Sequence, residues 1–279
     1  MNPQPITPEI REWIVAQSAA GQGPESLGQA MVASGWSELA ARRALRSTLE
    51  GDAAADDIPA GTAVPEPLHE AGAIVLQAGD REVQVLASMQ NPRVLVFGGL
   101  LADDECDAMI ELARERLSRS ETVQTDTGSS EVNSARTSEG MFFERGEFAL
   151  CARIEARIAA LLRWPVENGE GLQVLRYRPG AEYKSHYDYF DPAQPGTPTL
   201  LERGGQRVAS LICYLNSPRR GGATVFPDVG LDVAPVKGNA VFFSYDRADP
   251  GTRTLHGGAP VLEGEKWVAT KWLRERRFE

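Results

Sequence analysis

The apolar positions change rhythm along the chain. Over the first 48 residues they recur every three to four positions: Ile10, Trp13 and Ile14, then Leu27, Ala30 and Met31, then Leu39 and Leu45. That spacing predicts three short amphipathic helices. Thr7-Pro8-Glu9, Pro24-Glu25 and Trp36-Ser37-Glu38 supply the starts, and Gly21, Gly23 and Gly35 interrupt the runs. Residues 1–49 then form a small helical unit near the lower size limit for independent stability, with Trp13 and Trp36 in its core. Periodicity is lost over residues 50–70, which are rich in Ala, Asp and Pro and include Pro59, Pro65 and Pro67. This composition predicts an extended, mobile linker.

From Ala71 the pattern turns strand-like, and residues 71–279 read as one large domain. Ala73–Leu76 and Val83–Leu86 flank a Gly79-Asp80 turn as a hairpin, and Val94–Phe97 is a further strand. Cys106, Met109, Ile110 and Ala113 share one face of a helix over Asp103–Leu117, with Asp103 at its N-cap. A second helix covers Glu147–Leu162 and stops before Pro165. Short strands follow at Leu172–Tyr177, Tyr183–Tyr187, Val208–Leu215, Thr224–Phe226, Leu231–Val233, Ala240–Tyr245, Thr254–His256 and Val268–Leu273. Short strands broken by Gly and Pro predict a sandwich, barrel or jelly roll. The fold class is therefore mainly β with flanking helices (α+β). Two polar stretches, Ser118–Ser134 and Asp191–Arg207, are candidate substrate covers.

Charge narrows the partners. Lys and Arg number 29 against 39 Asp and Glu, a formal charge of −10. That balance argues against nucleic acid and anionic lipid as partners. No stretch has the 18 apolar residues of a membrane helix, and the N-terminus lacks the pattern of a secretory signal, so a cytoplasmic location is expected. Cys106, Cys151 and Cys213 are odd in number, widely spaced and set in apolar stretches. They read as free, buried thiols in a reducing compartment.

Only three histidines occur, and two of them belong to one pattern. His186-Tyr187-Asp188 places an imidazole and a carboxylate on one side of an extended segment. His256 follows from a distant strand, and Lys266 lies ten positions further on. Two imidazoles and one carboxylate are the facial set of non-heme Fe(II) oxygenases, which leaves coordination positions open. A buried lysine beside it suits the distal carboxylate of a keto-acid cosubstrate.

Around these residues the chain resembles the prolyl 4-hydroxylase family of Fe(II)/2-oxoglutarate dioxygenases, over roughly residues 92–274. The resemblance is carried by Leu172–Tyr177, Gly180, Tyr183, His186–Phe190, Gln206–Ser210, Tyr214–Asn216, Gly221–Pro227, Pro235–Gly238, Ala240–Phe243, His256–Val261, Gly264–Trp267, Thr270, Lys271 and Trp272. Arg136–Ser138 and Pro92–Ala113 add to it. It implies a double-stranded β-helix (jelly-roll) core with the small N-terminal helical unit appended. It implies His186, Asp188 and His256 as iron ligands, and Lys266 and Tyr177 on 2-oxoglutarate. Ser210 stands where the family often has Thr and keeps a hydroxyl for the cosubstrate. Trp272, Arg207 and Tyr189 are implied substrate contacts. Ala223 replaces the family's usual Glu, which touches local structure or substrate binding and not the iron.

The implied cofactors are Fe(II), 2-oxoglutarate and O₂, with ascorbate as reductant. The implied reaction is hydroxylation of an unactivated C–H, foremost the 4-position of a prolyl residue in a peptide or protein, with release of succinate and CO₂. A free amino acid or other small molecule remains open as substrate, as does a non-catalytic metal-binding jelly roll. The N-terminal helices are a candidate module for a protein partner.

Overall fold

The computed structural model describes residues 7–36, 62–67, 73–119 and 137–279, with Ala41, Ala44, Leu45, Thr48, Leu49 and four strand positions between 122 and 131. Two compact units divide between Gly61 and Thr62.

In the first unit, α1 (Pro8–Ala19) and α2 (Pro24–Ala33) each carry Pro in the first turn, where a missing N–H costs nothing. Their core is Ile14, Leu27 and Met31, joined by Ala41, Ala44 and Leu45. Trp13, expected in that core, is 36% exposed, because the buried stripe runs through the next residue, Ile14. Trp36 packs at the core's edge. Most of the expected third helix lies outside the described residues.

The linker reading fails over Thr62–Pro67. Thr62 N–H donates to the Asp246 carbonyl at 2.8 Å, Pro65 and Pro67 are buried, and Glu66 pairs with Arg93. Proline has no N–H to leave unsatisfied, so an extended Pro-rich segment can pack as a strap. The second unit thus begins near Thr62 and not at Ala71.

In chain order that unit contains β1 (Val75–Ala78), β2 (Arg81–Met89), β3 (Arg93–Gly98), α3 (Asp103–Arg114), β4 (Ser118–Arg119), β5 (Thr122–Val123), β6 (Ser130–Glu131), β7 (Glu139–Phe143), α4 (Ala149–Leu162), β8 (Leu172–Tyr177), β9 (Tyr183–His186), α5 (Thr197–Glu202), β10 (Arg207–Tyr214), β11 (Arg220–Gly221), β12 (Thr224–Phe226), β13 (Leu231–Val233), β14 (Ala240–Ser244), β15 (His256–Gly258), β16 (Val261–Glu263) and β17 (Lys266–Arg274). Nine strands form an antiparallel sheet in the order β1-β2-β3-β14-β10-β17-β8-β7-β4, and four form a second in the order β13-β12-β15-β9. This is the mainly β jelly roll with flanking helices that the sequence predicts.

Period-two alternation decides what each face of the large sheet does. On β17, Trp267, Ala269 and Leu273 join the core under the helices, which includes Cys106 and Met109 of α3 and Ile154 and Ile158 of α4. Val268 faces the other way, into a cluster with Leu175, Tyr177, Tyr214, Phe226 and Phe243. Every residue of β17 is buried, as expected for a central strand covered on both faces. The three cysteines are buried and free.

Helix α3 starts at Asp103 as expected, but Asp103 is not its N-cap. Ala102 is its N-cap, and the Glu105 carboxylate accepts the Ala102 N–H. Glu105 is tied in turn to Arg157, so it closes the helix and anchors α4 at once. The Asp191–Arg207 stretch contains the short helix α5, and most of the Ser118–Ser134 stretch lies outside the described residues.

Candidate active site

His186 is the last residue of β9 and His256 the first of β15, and the two are register partners. Gly257 permits that approach: a Cβ there would meet the Tyr183 carbonyl at 2.8 Å. Asp188 lies just past the end of β9, not on the strand as the His-x-Asp spacing suggested. One donor atom from each of His186, Asp188 and His256 falls within 4.8 Å of the others.

Backbone carbonyls fix both imidazoles. His186 Nδ1 lies 2.9 Å from the Lys184 carbonyl and His256 Nδ1 3.0 Å from the Thr254 carbonyl. A carbonyl only accepts, so each Nδ1 carries the proton and each Nε2 presents a lone pair. Those Nε2 atoms sit 3.5 Å from Asp188 Oδ1 and Oδ2 respectively. Two imidazole lone pairs and a carboxylate therefore converge with no proton between them, an arrangement that calls for a cation. Two nitrogens and one carboxylate oxygen, with no thiolate, suit Fe(II).

Electrostatics support these protonation states. Burial pushes His256 down to about 4, so it is neutral near pH 7. Burial works to raise the Asp188 carboxyl, but His256, His186 and Arg207 outweigh it and hold the group well below the carboxylate range. Ser210 Oγ donates to Asp188 Oδ2 at 2.6 Å, and Tyr245 Oη lies 3.0 Å from Ser210 Oγ. Ser210 was expected on the cosubstrate; it is instead fully buried behind the carboxylate, because its β10 position faces Asp188.

The triad opens into a cavity. Tyr177, Lys266 and Trp272 line it, joined by Tyr183, Ile212, Thr224, Val268 and Thr270. Lys266 is 4% exposed, and burial lowers it to about 8. Its Nζ lies 5.4 Å from the Tyr177 ring centre and 5.8 Å from that of Tyr214, and no carboxylate among the described residues pairs with it.

Arg207 and Tyr189 do not line this cavity. Arg207 is held by Glu170 at 2.7 and 2.9 Å and lies over the Trp272 ring at 3.9 Å, so it acts as a support for Trp272. Tyr189 is buried against Tyr187 and Tyr245. Sequence reasoning gave no site role to Tyr245, Thr254 or Tyr183, whose ring stacks on His186 at 3.8 Å. It also missed Val268 and Thr270, although alternation from Lys266 to Trp272 along β17 points to both.

Residues 172–274 match the model of the 2OG-Fe(II) oxygenase superfamily. Prolyl 4-hydroxylase 2 of Arabidopsis thaliana is 40% identical over 211 residues, which cover 67% of this chain and 69% of that protein. The chain belongs to the prolyl 4-hydroxylase family. Prolyl 4-hydroxylase 1 of the same plant is 39% identical over 227 residues, covering 75% of this chain and 77% of the relative. Among solved structures, the 2OG complex of the viral collagen prolyl hydroxylase vCPH from Paramecium Bursaria Chlorella virus-1 is similar at 33% identity and a TM-score of 0.50. That similarity covers 65% of this chain and 95% of the viral protein. Membership in this family implies Fe(II), 2-oxoglutarate and O₂ as the reactive partners of the cavity.

Proposed function

We propose that the protein hydroxylates a prolyl residue, at the 4-position, in a peptide or protein substrate. The observation that carries this reading is a carboxylate and two tautomer-fixed imidazoles sharing one cavity with a buried ammonium that has no anionic partner among the described residues. A cation at the triad and a dicarboxylate reaching Lys266 answer both deficits.

His186, Asp188 and His256 would hold Fe(II), Lys266 would bind the distal carboxylate of 2-oxoglutarate, and Tyr177 would hydrogen-bond the cosubstrate. With these bound, the centre supplies oxidative decarboxylation to succinate and CO₂ and inserts one oxygen atom into the substrate C–H. The chain's own contribution is orientation. Lys184 and Thr254 carbonyls keep Nε2 free on each imidazole, and Ser210 fixes the carboxylate. Leu175, Ile212 and Val268 keep the cavity wall apolar, which limits water and strengthens the ionic contacts inside. No side-chain base is required. Ascorbate serves as the reductant that keeps the metal ferrous.

In this reading the N-terminal helices α1 and α2 belong to a module for a protein partner, and the enzyme acts in the cytoplasm. Among the described residues no helix is long and apolar enough to cross a membrane.

The test is succinate formation from 2-oxoglutarate by the Fe(II)-loaded protein, with and without proline-containing peptides, beside H186A. Peptide-stimulated succinate that H186A abolishes supports the reading. Basal succinate that no peptide stimulates moves the substrate to a small molecule. No succinate from folded, metal-loaded protein leaves only a metal-binding jelly roll.

A further inference from the structure

Asp188 is the member of the triad that no strand holds. It lies past the end of β9, and no backbone–backbone hydrogen bond among the described residues involves Tyr187 to Phe190. The side chain of Gln206 takes that place. Phe190 N–H donates to Gln206 Oε1 at 2.8 Å, and Gln206 Nε2 donates to the Phe190 carbonyl at 2.7 Å. Two residues of an antiparallel ladder exchange the same pair of bonds through their backbones. Here a side-chain amide, with a donor and an acceptor side by side, stands in for one of those backbones.

Gln206 is itself fixed. Its N–H donates to Glu275 Oε2 at 2.8 Å, and its carbonyl accepts the Glu275 N–H at 2.9 Å. Thr62 Oγ1 donates to Glu275 Oε1, at 3.2 Å. Gly205 leaves room for this arrangement, because a Cβ there would collide with the Glu275 carboxylate. Residues 191–205, which carry α5, thus leave and re-enter the fold between two points that the Gln206 amide ties together.

We propose that Gln206 is a positioning residue for the metal centre: its amide closes the neck of the 191–205 loop and holds the turn that aims Asp188 at the metal. This rests on the triad holding a metal, and not on which substrate is oxidised. Ser210 orients the carboxylate from its side-chain end. Gln206 sets the same residue from its backbone end, two positions along at Phe190. Motion of the loop is stopped at Phe190 before it reaches the ligand. Gln206 does not line the cavity, so it acts through Asp188 and not on the cosubstrate.

The test measures Fe(II) affinity of the full-length protein without O₂, by competition against a fluorescent chelator. Q206A removes both bonds to Phe190. Q206E keeps the acceptor and turns a carboxylate oxygen towards the Phe190 carbonyl. Q206A should raise the Kd about tenfold, the lower end of the range for outer-sphere partners of a metal ligand. Q206E should raise it about fivefold, the scale of one hydrogen bond. A merely structural role would lower the melting temperature of the metal-free protein and leave the Kd of the folded protein unchanged, so calorimetry on the metal-free variants runs beside the titration. Folded Q206A that binds Fe(II) within twofold of wild type would overturn the proposal. Where Q206A fails to fold, Q206E carries the test on the same criterion. Wild type that takes up no Fe(II) would sink the metal centre and the role of Gln206 with it. Because the readout is metal binding, a failure of prolyl hydroxylation would not be mistaken for a failure of the clamp.

Discussion

Ser210 Oγ donates to Asp188 Oδ2 at 2.6 Å, and this single bond fixes which way the carboxylate of the triad faces. Tyr245 braces the same hydroxyl from behind at 3.0 Å. Outer-sphere bonds of this kind typically carry 10- to 100-fold of metal affinity. S210A is therefore expected to weaken Fe(II) binding by about that factor, while S210T, which keeps a hydroxyl, stays near wild type. Competition against a fluorescent chelator reads the difference. Equal affinity for S210A and wild type would remove Ser210 from the metal centre.

Lys266 should set both affinity for 2-oxoglutarate and its pH dependence. K266M removes the buried cation that lines the cavity, at about 2–3 kcal/mol or roughly 30- to 150-fold in Kd. Burial lowers the Lys266 pKa to about 8, and only the charged form pairs with a carboxylate. Affinity should thus hold steady below about pH 8 and fall about tenfold per pH unit above it, as the ammonium loses its proton. Calorimetric titration from pH 6.5 to 9.5 tests the sign. An affinity that rises with pH would contradict it.

Ion pairs in this protein should divide sharply by burial. Lys271 and Glu155 pair with both side chains 2% exposed, between β17 and α4. E155A would strand a buried ammonium, at about 3–5 kcal/mol of stability. The Arg219–Glu263 pair is exposed, and E263A should cost under about 1 kcal/mol. Urea unfolding of the two variants measures the contrast.

The strap over Thr62–Pro67 belongs to the second unit. Removing residues 1–61 should leave its melting temperature and its succinate production near those of the full chain. Extending the deletion through Pro67 exposes the surface under two buried prolines and frees Arg93 from Glu66. A loss of about 1–2 kcal/mol, or several degrees in Tm, is expected. Scanning calorimetry on both deletions decides it.

How much of this was legible in the chain depended on how narrowly chemistry restricts each residue. His186, Asp188 and His256 stood out because few side chains bind iron, and His is scarce here. Lys266 and Tyr177 line the cavity in direct register across β17 and β8. Ser210 was legible as a hydroxyl but not in its aim. Its partner follows from the pairing of β10 with β14 and β17, a long-range register that no local pattern encodes. Arg207 looked free to meet substrate until Glu170, 37 positions away, claimed it. Trp13 and Ile14 fit one helical stripe equally well on paper, and packing chose Ile14. Pro65 and Pro67 illustrate a different limit: the composition of a tether and that of a docked extended strap are the same.

The central claim concerns the fate of the oxygen atoms, so the most direct measurement is mass spectrometry of the products made under ¹⁸O₂. The Fe(II)-loaded protein would be incubated with 2-oxoglutarate and a proline-containing peptide. The account predicts one ¹⁸O atom in the peptide, on a prolyl ring, and one in succinate, with both lost in H256A. Succinate absent from folded, metal-loaded protein, or peptide oxygen drawn from water instead of O₂, would contradict it.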